Sequence, residues 1–249
     1  MNYHLTVSFR QSTILSNREI VYTLTAVLGT SITRQEEVLD AVRTAILTCA
    51  IEPGTRIVQE ELAARLGVSR IPLREAFRTL HAEGLITLEP NRGAICRPLE
   101  AKDLADLYDV RLTLETLAVR TAASRFVNLE AATNISRIAA AAAASRRDLF
   151  TLIALDCDFH AAIARSTGNA HIVASLGGYW SQIKRAMHVF FTIERYPGNI
   201  WVEHVALARA IGVGDADLAV SLLELHILAS RNAILHRLKE ANLERAITR

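Results

Sequence analysis

From residue 33 onward, apolar positions repeat every three or four residues, and short turns bearing Gly or Pro interrupt the repeat. Val38, Val42, Ala45 and Ile46 share one helical face, and Glu52-Pro53-Gly54 ends that run. Gln59 to Leu66 predicts a second, short helix closed by Gly67, a residue able to take the left-handed backbone of a helix C-cap. Ser69 then stands as N-cap of a helix over Arg70 to Glu83, with Leu73, Phe77 and Leu80 on one face and Pro72 early enough to be tolerated. Two short helices joined across a glycine-bearing turn predict a helix-turn-helix.

After Gly84, the stretches Leu85-Ile86-Thr87-Leu88 and Ala94-Ile95-Cys96-Arg97 have strand composition and flank Pro90-Asn91-Arg92-Gly93, which predicts a hairpin wing. Pro98 to Lys102 reads as a linker. Beyond it the pattern is helical throughout, over about 103–126, 129–144, 147–167, 170–195, 199–212 and 216–246, with Asp215 placed to cap the last helix. The expected fold is therefore mostly α: a winged helix-turn-helix of three helices and a β-hairpin over 33–98, then an all-α bundle over 99–249. Residues 1–32 show no sustained period and read as a flexible N-terminal extension.

Composition narrows the class. An apolar fraction of 51% with 11 Gly and 5 Pro in 249 residues excludes a disordered or collagen-like chain. The formal net charge is only +2, so a strongly non-specific polyanion binder is not expected. Among the 28 basic residues only Lys102, Lys184 and Lys239 are lysines, a bias toward forked donors that suit phosphate and carboxylate. Cys49, Cys96 and Cys157 are odd in number and widely spaced, which fits a reducing compartment rather than a disulfide framework. No uninterrupted apolar run has the length of a membrane helix and no secretory signal opens the chain, so a cytoplasmic protein without membrane partners is expected.

Two constellations carry chemistry. In a helix-turn-helix the second helix enters the major groove, and its first residues reach base edges. Arg70 and Arg74 lie four apart on that helix, where a guanidinium fork grips guanine or phosphate, and Ser69 can donate to phosphate. Arg92 and Gly93 sit at the wing tip, where arginine suits the negative potential of the neighbouring groove and glycine lets backbone approach it. A winged helix used for protein contact, its arginines merely solvating a helix, satisfies the same pattern.

The second constellation is Asp156 and His160, one helical turn apart, with His204 and His226 spaced about the Gly214-Asp215 turn so that an antiparallel hairpin brings both imidazoles to one height. Three imidazoles and a carboxylate suit zinc, and also nickel or manganese. Eight histidines offer other pairings, so spacing leaves the choice open between a metal site and satisfied core histidines.

A resemblance decides between these options. Pro53-Gly54-Thr55-Arg56-Ile57, Glu61-Leu62-Ala63, Gly67 through Ala76, Glu83-Gly84-Leu85-Ile86 and Asn91-Arg92-Gly93-Ala94 resemble the winged helix of the GntR family of bacterial transcriptional regulators. The resemblance puts Ser69, Arg70 and Arg74 on recognition-helix contacts and Gly93 on the wing contact, while Glu60 stands where some relatives carry a DNA-contacting arginine. Leu155 through His160, Gly168-Asn169, Glu203-His204 and Asp215 with His226 resemble the FCD effector domain of the FadR-like subfamily, as do Arg111 and Glu115 in its opening helix. That resemblance implies a divalent metal on Asp156, His160, His204 and His226, and a small organic acid as signal. Arg111 is the candidate for the acid's second contact, with an ion pair to a neighbouring helix as the plainer alternative, and Arg185 is a weaker candidate.

The expected protein is a ligand-responsive, homodimeric DNA-binding regulator, in the first instance a repressor, bound to a palindromic operator on double-stranded DNA. It is not expected to be an enzyme. The competing readings are a metal-dependent hydrolase with an accessory winged helix, and a regulator whose metal is purely structural.

Overall fold

The helical repeat that begins near residue 33 forms α1 (Gln35–Leu47), which buries Val38, Ala41, Val42, Ala45 and Ile46. A two-residue strand β1 (Arg56–Ile57) leads to α2 (Gln59–Leu66), and Gly67 ends α2 at φ 66 in the left-handed conformation expected of it. Then come α3 (Arg70–Ala82), β2 (Ile86–Glu89) and β3 (Gly93–Cys96). The bundle follows as α4 (Ala101–Ser124), α5 (Leu149–Ser166), α6 (Ala170–Gly177), α7 (Trp180–Phe190), α8 (Ile200–Gly212) and α9 (Ala216–Ile247). This computed structural model describes residues 35–89, 93–130, 133–134, 137, 149–191 and 199–247, with side chains as far as residue 240. The extension expected over 1–32, Arg92 at the wing tip and most of the helix expected over 129–144 lie outside these residues.

Buried apolar side chains form two clusters. One gathers residues between Val38 and Cys96, with Leu73, Leu80, Leu85 and Ile86 fully enclosed; the other runs from Leu104 to Leu238 around Phe159, Ile183 and Leu223. The wing is a three-stranded antiparallel sheet in the order β1-β3-β2, with Thr87 and Arg56 both facing Ile95 across the ladders. The hairpin was expected; β1 was not, because two residues are too few to display a period of two.

Two further departures have physical causes. The helix expected over 170–195 is two helices, α6 and α7, separated at Gly178-Tyr179, where adjacent glycines at 177 and 178 weaken helix continuity. Ser69 occupies the N-cap of α3 with extended backbone but makes no side-chain cap bond, so its hydroxyl is not consumed by the helix it starts. The last helix, expected over about 216–246, runs over Ala216–Ile247, with a mean hydropathy of 1.4 within Ala216–Glu240. Its Leu223, Ile227, Ile234 and Leu238 are core residues of the bundle. Asp215 caps α9 as expected, accepting from the Leu218 amide at 3.0 Å.

Gly93 opens β3 at φ +91, and a Cβ built there would come 2.3 Å from the Ile57 carbonyl oxygen. Backbone cannot yield as a flexible side chain would. Gly93→Ala is therefore expected to cost about 1–3 kcal/mol of folding stability, read as a lowered urea midpoint, before any effect on DNA is considered.

Candidate functional site

α5 carries Asp156 and His160 on its inward face, four residues apart, and α8 and α9 fold back about the Gly214 turn to present His204 and His226 to them. All four side chains are buried, and one ligand atom from each lies within 4.8 Å of the others. His226 Nε2 stands 3.1 Å from His160 Nε2 and 3.3 Å from His204 Nε2, while Asp156 Oδ1 is 3.4 Å from His204 Nε2.

The outward nitrogens are held by acids. His226 Nδ1 donates to Glu203 Oε2 at 2.9 Å, and His160 Nδ1 lies 2.6 Å from Glu115 Oε2, close though poorly aligned for a hydrogen bond. A carboxylate behind each imidazole fixes its proton on Nδ1 and leaves the Nε2 lone pair facing inward, as metal-ligating histidines require. The His226 Nε2 lone pair can accept a single proton from one neighbour, and Asp156 Oδ1 has no hydrogen-bond partner. A divalent cation fits this arrangement: it would satisfy several inward lone pairs at once and compensate the buried carboxylate. His204 is fixed differently, its ring stacked on Phe159 at 3.9 Å between centroids with Trp201 edge-on at 5.4 Å.

Around the cluster, Arg111 is fully buried and pairs with Glu115 through Nε at 2.6 Å, on its own helix rather than with a neighbouring one. Its guanidinium carbon lies 5.5 Å from the Tyr108 ring centre and 5.4 Å from that of Trp180, yet Nη2 has no hydrogen-bond partner. Burial opposes ionisation of Glu115, but Arg111 and then His160 outweigh it and hold the carboxyl well below its usual range. Burial dominates at His160 and His204 and pushes both imidazoles below their ordinary value, keeping them neutral as ligands must be. Arg185 is not at this site; it turns toward the wing, donating to the Arg97 carbonyl at 2.6 Å.

The second surface is an open cleft of about 580 Å³ between α2, α3 and the sheet, lined by Glu60, Arg70, Arg74, Arg78, Glu89 and Gly93 among others. Arg70 and Arg74 are exposed on one face of α3, with Ser69 just before them. Each nearby arginine has an acid partner: Arg70 pairs with Glu60, Arg74 with Glu75 at 3.6 Å, Arg78 with Glu75 at 3.0 Å and Arg56 with Glu89 at 2.7 Å. Sequence reasoning missed Ile71, 65% exposed beside Arg70, an apolar residue free to meet a thymine methyl. It also gave no supporting role to Glu203, which adjoins His204 in sequence but faces His226 in the structure.

The chain matches two family models, that of bacterial regulatory proteins of the gntR family over residues 34–95 and that of the FCD domain over residues 106–229. It is 30% identical over 192 residues to the Nta operon transcriptional regulator of Aminobacter aminovorans, covering 77% of this chain and 90% of that one. It is 31% identical to the gluconate operon transcriptional repressor of Bacillus licheniformis, covering 73% and 76% of the two chains. Among solved structures, a GntR transcriptional regulator of Rhodococcus sp. RHA1 superimposes with a TM-score of 0.66 at 25% identity, over 82% of this chain and 99% of that one. The fold of E. coli McbR/YncC is also shared, with a TM-score of 0.69 at 19% identity over 84% of this chain and 100% of that one.

Two measurements follow from the geometry. A buried imidazole with a lowered pKa takes up its proton later than the same group in the unfolded chain, so unfolding is favoured progressively as pH falls below the ordinary value of 6.5. Metal-free protein should accordingly lose thermal stability in steps from pH 6.5 downward, with a flatter profile in His160→Gln. Glu203→Gln, which loosens His226, is expected to weaken zinc binding about 10- to 100-fold in a chelator competition while leaving the fold intact.

Proposed function

The chain belongs to the GntR family of DNA-binding transcription regulators, in the FadR-like branch that carries an FCD domain, and we propose that it acts as a homodimeric repressor switched by a small organic acid. In this reading residues 33–98 form the DNA-binding head and residues 99–249 the body that binds the signal and dimerises. Two heads set by the symmetry of the dimer would read the half-sites of a palindromic operator, and such a role would be carried out in the cytoplasm. Its relatives are transcription regulators, not enzymes, and three carry repressor in their names.

One observation carries the sensing half: three imidazole Nε2 atoms and the unpartnered Asp156 Oδ1 converge in a buried pocket. Asp156, His160, His204 and His226 would hold a divalent ion, zinc first, with nickel or manganese as alternatives. When bound, the ion would supply a Lewis-acidic anchor for one end of a carboxylate. Arg111 would meet the other end through Nη2, which its pairing with Glu115 leaves over. The relative named for a gluconate operon is in keeping with an acid signal. A purely structural metal is the competing reading, and calorimetry of zinc-loaded protein against a panel of carboxylates separates the two: heat from at least one acid supports sensing, and none from any supports structure.

On the DNA side Ser69, Arg70, Arg74 and Gly93 would make the contacts, with Arg92 at the wing tip and Ile71 beside them. Arg74→Ala is expected to cost about 1–3 kcal/mol of binding to the operator with little change toward random duplex if it holds a base. A uniform loss on both duplexes, with a shallower salt dependence, would assign it to phosphate. Footprinting on the DNA upstream of the protein's own gene supplies the operator for this comparison.

A further inference from the structure

Helix α7 touches both halves of the molecule. At its first residue, Trp180 lies 5.4 Å from the Arg111 guanidinium and 6.2 Å from the His160 ring, centre to centre. The face one residue on, made of Ser181 and Arg185 one turn apart, is turned to the DNA-binding head. Ser181 Oγ donates to Glu83 Oε2 at 2.8 Å, and Glu83 in turn clamps Arg43 of α1 at 2.6 Å. Gln182 packs so closely on Gly84 that a Cβ there would lie 2.6 Å from its amide nitrogen.

Arg185 makes the deepest of these contacts. It is 2% exposed, and its Nη2 donates to the Arg97 carbonyl at 2.6 Å and reaches Cys96 Sγ at 3.2 Å. Arg97 is itself tied to the turn between α3 and β2 through its amide, which donates to the Leu85 carbonyl at 3.0 Å. Burial is the larger influence on the Cys96 thiol and raises it to about 11, so the arginine is buried against a neutral sulfur and a carbonyl rather than a carboxylate. A guanidinium taken from water without a carboxylate partner is costly, and a purely structural joint could be made with an apolar side chain at lower cost.

We propose that α7 reports the state of the buried centre to the DNA-binding head, and that Arg185 is the positioning residue through which it holds the wing. The inference rests on the metal reading above and adds the route by which that site reaches DNA. Movement of Trp180, seated against Arg111 at the start of α7, shifts Ser181 and Arg185 with it, because one helical turn is rigid over that distance. Their partners Glu83 and Arg97 flank the recognition helix and the wing. The two contacts therefore set how α3 and β3 are held relative to the bundle.

The test uses the full chain, zinc chloride as the probe, and two readouts: zinc uptake by equilibrium dialysis, and backbone amide exchange over residues 93–97. In the parent protein zinc should slow exchange there by about tenfold, within the range of coupling between linked sites. Arg185→Lys keeps the charge but loses the forked grip, and Ser181→Ala is a milder second variant. Both should take up zinc as the parent does, with the slowing at 93–97 reduced to about twofold or less. Undiminished slowing in both variants would overturn the proposal, as would zinc uptake by the parent with no change beyond the bundle. Failure of the parent to take up zinc would instead overturn the metal reading, and this inference with it.

Discussion

Three imidazoles pointing the same nitrogen at one another inside a protein make a constraint that the chain can relieve only in part by itself, since His226 Nε2 can accept from just one of the other two. Neutral rings facing through lone pairs repel, charged rings repel more, and burial keeps His160 and His204 from taking up protons. The outer acids make the conflict sharper by fixing protons on the far side of His226 and His160. Much of the surrounding bundle serves that arrangement: α5 supplies two groups at one height, the tight turn before α9 sets the other two, and Phe159 pins the third ring by stacking. A cation would complete such an interior, which is the ground of the metal proposal.

The same pocket links outward through an ordered series of buried charges. Glu115 lies between His160 and Arg111, Arg111 packs against Trp180, and Trp180 begins the helix that reaches the winged head. Each member is buried or half-buried, so electrostatic changes at the centre are weakly screened by water along this path. The helix that reaches the head is short and carries its hydrogen bonds to it at Ser181 and Arg185.

How much of this was visible in the sequence depends on the distance over which the signal is written. Gly67, Pro72 and the Leu73, Phe77, Leu80 face disclose the helix-turn-helix because caps and periodicity are local. The four inward groups were singled out by i, i+4 spacing and by the symmetry of His204 and His226 about Gly214, but with eight histidines in the chain spacing left the choice open, and the resemblance to the FCD domain made it. The supporting groups could not be picked out this way. Glu203 meets His226 across a helix pair, Arg185 meets Arg97 across 88 positions, and no spacing rule encodes such encounters. Arg111 shows the difference within one residue: its position near the site was readable, but its partner proved to be Glu115 on the same helix. β1 escaped for a simpler reason, being too short to have a pattern.

The acids seated beside Arg56, Arg70, Arg74 and Arg78 give the DNA-facing cleft a character of its own. A polyanion arriving there must displace an internal rival before it gains an arginine, and it must tolerate the displaced carboxylate close by. Generic duplex offers phosphate alone, which repays little of that exchange. A sequence that also supplies base edges to the freed guanidinium would repay more of it, so these exposed pairs would add a modest discrimination from within the protein to that supplied by attraction.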